Sequence, residues 1–395
     1  MLEQKHCYGS TLMNLRDFLA DLTSIRQRLH AMPEIGLAEF ETSNLIAKCL
    51  SGWGLEVHRG FAKTGLVGRL QRGDSRRAIG FRADFDALPI AEETGLPYSS
   101  KNPGMMHACG HDGHTAMLLG AAWMLSQRSD LDGSVNFVFQ PAEENYGGGK
   151  LMIEDGLFEA FSCDRIYAVH NLPGLSTGTF ATRSGPITAS VDVVKVVVHG
   201  KGGHGAMPAK TTDPVVAGAS IVMALQTVLS RNIDAHDAAV ITVGAFHAGG
   251  SSTIIPDTAV LEISMRALSP STRTELRERV ESIASMQAAA FGATTTFEWD
   301  LGYPVTINEK EATSLAEKVI VDRFGSERLL KLDTPQMFSE DFSFMLEKVP
   351  GAYVLIGNGD SAPLHSSSFD FNDELLEPGA LLFHDLAVAH LQAKP

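Results

Sequence analysis

The sequence predicts an α/β protein: a catalytic domain with a mostly parallel sheet, interrupted by an inserted α+β domain of the ferredoxin-like kind. Three observations lead there. Short apolar strands alternate with helical stretches at both ends of the 395-residue chain, the pattern of a sheet with helices on its faces. Chemically active side chains fall just past the C-terminal ends of four of those strands, where open α/β sheets bind ligands. The middle of the chain changes to the order β-α-β-β-α-β.

From Leu15 to about Trp53 the pattern is helical, broken at Pro33, with a second helix over Phe40 to Cys49. "RAIGFRADFDALPI" reads as a strand ending in an acidic loop at Asp84 and Asp86. "GHTAMLLGAAWMLSQ" reads as a helix, with Asp112 as its N-cap. Three further strands end in active groups: "SVNFVFQPAEENYGGG" at Glu143 and Glu144, "DRIYAVHNLPG" at His170, and "GAYVLIGNGD" in a loop that reaches His365.

Between the last two lies the inserted pattern. "SVDVVKVVVHG" is an alternating strand and a helix follows from about Pro214 to Ser230. Strands "AAVITVGAFHAG" and "TAVLEISMRAL" come next, then the helix "STRTELRERVESIASMQAAAF" and the strand "TTTFEWDL". The expected division is 1–188 and 304–395 for the catalytic domain and 189–303 for the insert. An insert of roughly 115 residues is of ordinary domain size.

Composition excludes several classes. A net charge of −15 disfavours nucleic acid and anionic membrane, both of which need a basic footprint. No apolar run reaches the roughly 18 residues of a membrane span. The N-terminus carries no signal-peptide pattern, and Met13 is an alternative start that would leave the first dozen residues as a loose tail. Cys7, Cys49, Cys109 and Cys163 are scattered, which fits a reducing cytoplasm better than a disulfide framework.

The densest chemistry is "HACGHDGH", three imidazoles and a thiol in residues 107–114. Alone it also fits a histidine-rich helix cap. Together with Glu143, Glu144, His170 and His365 it offers thiolate, imidazole and carboxylate donors, which divalent zinc-like ions accept in one shell. Five or six donors exceed one tetrahedral shell and point to two metals sharing a water. Of two adjacent glutamates, one can bind metal while the other serves as base. Redox use of Cys109 lacks a C-x-x-C partner, a thiol-protease reading leaves the carboxylates idle, and "YGGGK" lacks phosphate-loop spacing.

"FRADFDALPI", "HACGHDGHTAMLLGAA", "FQPAEE", "AVHNLP", "GKGGHGAMP" and "PLHS" occur in this order. In that order they resemble the amidohydrolase branch of the metallopeptidase-20 family, which includes hippurate hydrolases, N-acyl-amino-acid amidohydrolases and indole-acetyl-amino-acid hydrolases. The likeness runs from "RQRLHAMPEIG" to the C-terminal helix. It implies a catalytic domain with an inserted lid and dimerisation domain, hence a homodimer. It further implies that Cys109, His111, Glu144, His170 and His365 hold two divalent metals (zinc or manganese, with cobalt or nickel also suited), Cys109 lying between them. Glu143 becomes general base and later acid. Asp86 falls where related branches hold an aspartate that orients a histidine ligand; Asp84 stands where those branches have a histidine, so both read as orienting groups.

The insert contributes two further candidates. His204 in "GGHGAMP" follows a strand on a glycine-rich turn; the resemblance implies that it supports an oxyanion. Arg266 ends a strand and suits a clamp on a substrate carboxylate. Asn171 is placed beside the site as a substrate contact, and His107 and His114 as scaffold. His30, His58, His199, His236, His247, His384 and His390 read as ordinary residues. The implied reaction is hydrolysis of an N-acyl or N-aroyl amino acid. Its rivals are a dipeptidase or carboxypeptidase of the same family, a thiol hydrolase using Cys109, and a non-catalytic binding protein.

Overall fold

The computed structural model describes residues 15–392; Cys7, Met13 and the N-terminal stretch read for a signal-peptide pattern lie outside them. The chain divides into two compact units, 1–187 with 307–334 and 341–395, and 188–306 with 335–340.

The first unit holds an eight-stranded mixed sheet. Its strands are β1 (Glu56–Phe61), β2 (Gly65–Arg72), β3 (Ala78–Asp84), β4 (Gly133–Gln140), β5 (Arg165–Pro173), β6 (Phe180–Thr182), β7 (Leu329–Lys331) and β8 (Gly351–Gly359). They lie in the order β1-β2-β4-β3-β5-β8-β6-β7. The four central strands, β4, β3, β5 and β8, are mutually parallel, and antiparallel pairing is confined to the flanks. Every residue of β3 and β4 is buried, as central parallel strands covered on both faces require. Because these four run the same way, their C-terminal ends open onto one edge, which carries Asp86, Glu143, Glu144, His170 and His365.

Helices α1 (Leu15–His30) and α2 (Phe40–Gly52) stop on either side of Pro33. Helix α3 (His111–Ser126) is buried at almost every position and packs against α1 and the C-terminal helix Leu376–Leu391. A helix apolar all round belongs in a core. Its approach to the loop before the C-terminal helix needs Gly113, where a Cβ would meet the Phe371 ring at 2.3 Å.

Asp112 does not cap α3. The N-cap position belongs to Gly110 at φ 91°, and Asp112 sits inside the first turn, fully buried. Its Oδ2 accepts from His30 Nδ1 at 2.8 Å and lies 3.5 Å from Arg26 Nη1. Two buried cationic partners draw the carboxylate away from the helix backbone, although its charge still complements the helix N-terminus. His30, expected to be an ordinary residue, is thus part of a buried charge network.

The second unit is a four-stranded antiparallel sheet ordered Ala239–Ala248, Thr258–Ala267, Ser190–His199, Thr294–Asp300. Its helices Pro214–Arg231 and Pro270–Ala290 start at Asp213 and Ser269, whose side chains accept from backbone amides of the first turn, each with proline just inside. The strand Ser190–His199 alternates buried and less buried residues, so Val194, Val196 and Val198 meet Ile221, Leu225 and Val280 in one core.

Two expectations change. Residues 335–340 return to this unit, tied by Ala189 N donating to Phe338 O at 2.9 Å. Helix Pro214–Arg231 is also long and apolar enough to cross a membrane by length and composition; here its Ala217, Ile221, Leu225 and Val228 are buried in the core of the unit.

Candidate metal centre

The candidate ligands are delivered by four pieces of the parallel edge. Cys109 and His111 straddle Gly110, whose left-handed backbone turns the chain into α3. That glycine is also required sterically, since a Cβ there would lie 2.3 Å from Asn171 Oδ1. Glu143 and Glu144 follow β4 after Pro141 and Ala142, the latter at φ 55°. His170 projects from within β5, three residues before that strand ends. His365 sits at φ 64°, and its amide donates to Ala108 O at 2.8 Å, which ties the two ligand loops together.

These side chains converge. Single donor atoms of Cys109, His111 and His170 lie within 4.8 Å of one another, and so do those of Cys109, Glu144 and His365. Cys109 belongs to both sets. Glu143 joins His111 and Glu144 in a third set of the same span. Cys109 Sγ lies 3.5 Å from His170 Nε2, and His365 Nε2 lies 3.3 Å from Glu144 Oε1.

The donor chemistry fits two cations. His111 Nδ1 is held by Asp86, with the backbone O at 3.0 Å and Oδ1 at 3.1 Å. A proton on Nδ1 leaves Nε2 as a lone pair, and that Nε2 is buried without a hydrogen-bond partner. His170 repeats the device: Nδ1 donates to Asn171 O at 2.7 Å, leaving Nε2 turned toward Cys109. Glu144 Oε1 is likewise buried without a hydrogen bond, and its nearest charged neighbours are His365 and His111 Nε2, the latter 3.9 Å away.

Burial and mutual contact shift these groups strongly. Burial and the Glu144 charge push the Cys109 thiol well above its ordinary value, a state that a cation at Sγ would reverse. Burial and the neighbouring His114 hold His170 well below its ordinary value, hence neutral. For His111 burial opposes protonation, but Asp84, Cys109 and Asp86 outweigh it and the shift is upward. Glu144 raises His365 through direct contact.

Asp86 links both ligand loops, because its Oδ2 also accepts from Glu144 N at 3.0 Å. Asp86→Ala should therefore weaken metal binding roughly 10- to 100-fold, the usual cost of losing a ligand's orienting partner. Competition against a chromophoric chelator measures this, and an affinity within twofold of the parent contradicts the orienting role.

Asp84 has different partners from Asp86. Asp84, His111 and His114 also form a set of donor spacing, but the Asp84 carboxylate is already engaged. Oδ1 accepts from His114 Nδ1 at 2.6 Å and Oδ2 from Arg82 Nη1 at 2.7 Å. Asn171, expected at the substrate, is fully buried with its carboxamide oxygen 2.6 Å from His114 Nε2. Its carboxamide packs against Gly110, the residue between Cys109 and His111. His107 is also buried, and burial pulls it down to about 4, so it stays neutral.

His204 and Arg266 belong to the second unit. His204 is exposed in a two-residue strand paired with Ile254–Ile255, and its Nδ1 accepts from Ala206 N at 3.1 Å. Arg266 is half-buried and donates from Nη1 to Met337 O and Ser339 Oγ, both at 2.9 Å. Sequence reading passed over Arg82 and Asp341. Arg82, fully buried, reaches Asp84, Asp341 Oδ1 at 2.8 Å and Gln140 Oε1 at 2.8 Å. A lone arginine inside an otherwise apolar strand was the available signal.

Comparison with known proteins gives the chain a family. A family model described as peptidase family M20/M25/M40 matches residues 80–389. The chain is 42% identical over 376 residues to a hippurate hydrolase of Campylobacter jejuni, covering 95% of this chain and 98% of that one. It is 36% identical to an N-acetyl-L-cysteine deacetylase of Bacillus subtilis, with 96% and 90% covered. Among solved structures, a Bacillus subtilis protein described as a dinuclear metal binding peptidase superposes with a TM-score of 0.84 at 33% identity, covering 96% of this chain and 100% of that one. The chain belongs to peptidase family M20/M25/M40.

Proposed function

We propose that this chain is a metal-dependent amidohydrolase that cleaves the amide of N-acyl and N-aroyl amino acids. The observation that carries the reading is the pair of donor sets sharing Cys109, with Glu143 beside them. Cys109, His111, Glu144, His170 and His365 would hold two divalent ions, zinc or manganese by preference, with cobalt or nickel also suited to the donors. Bound ions of this kind lower the pKa of water and polarise an acyl carbonyl. Glu143 takes the proton from the attacking water and returns it to the departing amine. His204 is assigned to oxyanion support and Arg266 to the substrate carboxylate. The hippurate hydrolase and deacetylase relatives, both acting on N-acylated amino acids by name, support the substrate class.

We assign residues 189–303 to a lid through which two copies pair. The exposed apolar side chains Val216, Met223, Phe246 and Ile254 in that unit support this. A cytoplasmic location rests on the scattered cysteines alone.

The peptidase reading is the serious second one, favoured by the names of the family and of the Bacillus subtilis structure. The bond is the same: an N-acyl amino acid is the smallest substrate with a free carboxylate on the amine side. Parallel assays on N-benzoylglycine, N-acetylmethionine and a dipeptide separate them. Turnover of the acylated amino acids is expected; turnover of the dipeptide alone contradicts the assignment. The thiol-hydrolase reading has less support, because Cys109 is buried with a raised thiol and a nucleophilic cysteine needs an accessible thiolate, while Glu143 and Glu144 would have no role. The binding-protein reading leaves a complete donor set and base without work.

A further inference from the structure

Glu39 occupies the N-cap position of α2 but does not cap it. That task falls to Glu34, whose oxygens accept from Glu41 N at 3.2 Å and Thr42 N at 2.8 Å. Glu39 instead points inward and is completely buried. Its Oε2 accepts from Thr64 Oγ1 at 2.7 Å and its Oε1 from Ala142 N at 3.0 Å.

Ala142 is an unusual place to find that bond. It is a fully buried non-glycine residue at φ 55°, a backbone region that L-residues enter at a cost and keep only when their surroundings enforce it. The enforcement is visible on every side. Ala142 N is held by Glu39, and Ala142 O accepts from Gly148 N at 3.0 Å. Gly36 packs so closely that a Cβ there would lie 3.0 Å from the Ala142 Cβ. The next two residues are Glu143 and Glu144.

We propose that Glu39 is a positioning residue for the hydrolytic site: its buried carboxylate holds the left-handed turn at Ala142 and thereby aims Glu143 and Glu144. This rests on the roles proposed above for those two glutamates. The hydrogen bond, and not the charge, does the work. Burial pushes the Glu39 carboxyl up to about 7, and neither bond that it takes part in requires a charged acceptor. A glutamine has the same length, can accept from Ala142 N, and can turn its amide toward the Thr64 hydroxyl, which accepts as well as donates.

The test compares Glu39→Gln, Glu39→Asp and Glu39→Ala, each loaded with zinc or manganese. Aspartate keeps the charge but falls one methylene short of Ala142 N. Expected is a kcat for N-benzoylglycine within about threefold of the parent for Glu39→Gln. For Glu39→Asp and Glu39→Ala, kcat falls roughly 10- to 100-fold, the scale of ångström-sized misplacement of a catalytic group, with KM nearly unchanged and two metals per chain retained. Amide hydrogen exchange at residue 142 gives a readout independent of turnover: slow in the parent and Glu39→Gln, fast in the other two. If Glu39→Ala does not fold, the Gln and Asp pair decides alone. Glu39→Gln falling as far as Glu39→Asp, or unchanged exchange and kcat in Glu39→Asp, overturns the inference. Wild-type protein without turnover overturns the proposed function instead, and the exchange pattern still decides the role of Glu39.

Discussion

Glu143→Ala lowers kcat for an N-acyl amino acid by roughly 10²- to 10⁴-fold, the usual contribution of a positioned general base, while both metals stay bound. The second half of that expectation distinguishes Glu143 from its neighbour. Both glutamates lie within donor distance of His111, but Glu144 alone also shares a set with Cys109 and His365. Glu143 Oε1 instead lies 3.4 Å from Asp341 N, a long hydrogen bond that fixes the carboxylate by its backbone partner. Glu144→Ala is therefore expected to lose metal, and Glu143→Ala to lose turnover with metal in place. Elemental analysis of the two purified variants, set beside their kcat values, decides the assignment. Metal lost from Glu143→Ala and kept by Glu144→Ala would exchange their roles.

Arg82→Met costs about 3–5 kcal/mol of stability, the range for breaking a buried ion pair from one side. Arg82 is 1% exposed and faces two buried carboxylates, Asp84 at 2.7 Å and Asp341 at 2.8 Å, plus the Gln140 amide oxygen at 2.8 Å. Removing the guanidinium takes away the buried cation that Asp84 and Asp341 share. In a unit of this size each kcal/mol moves the midpoint by roughly 2–4 °C, so calorimetry should register a fall of about 10 °C. Arg82→Lys recovers only part of it, because one ammonium cannot span three partners in the geometry of a guanidinium fork. A midpoint within 2 °C of the parent for Arg82→Met contradicts this account of the charge cluster. The consequence reaches the site, since Asp84 also holds His114.

What could be read from the sequence follows a physical divide. Strand ends rich in histidine, cysteine and glutamate are visible as strings, because the fold that brings them together also fixes where they sit along each strand. The metal candidates and Glu143 were legible for that reason. Partnerships that depend only on packing were not. Arg82 and Asp341 are 259 positions apart, and Arg26 and Asp112 are 86 apart; neither pairing leaves a local pattern. Asp112 looked like a cap because its position beside a helix start was visible and its buried partners, Arg26 and His30, were not. Asn171 was visible as a neighbour of His170, but its buried partner His114 lies 57 positions away and leaves no local pattern. The return of 335–340 to the second unit depends on backbone and Arg266 contacts that no periodicity announces.

The central claim is that two metals serve one hydrolytic centre built on Cys109, His111, Glu144, His170 and His365. Its most direct test is metal content measured together with N-benzoylglycine hydrolysis: as purified, after exhaustive chelation, and after adding back zinc or manganese. The account predicts two ions per chain, loss of activity as they are removed, and recovery when either metal returns. Hydrolysis that persists at full rate in metal-free protein would contradict it.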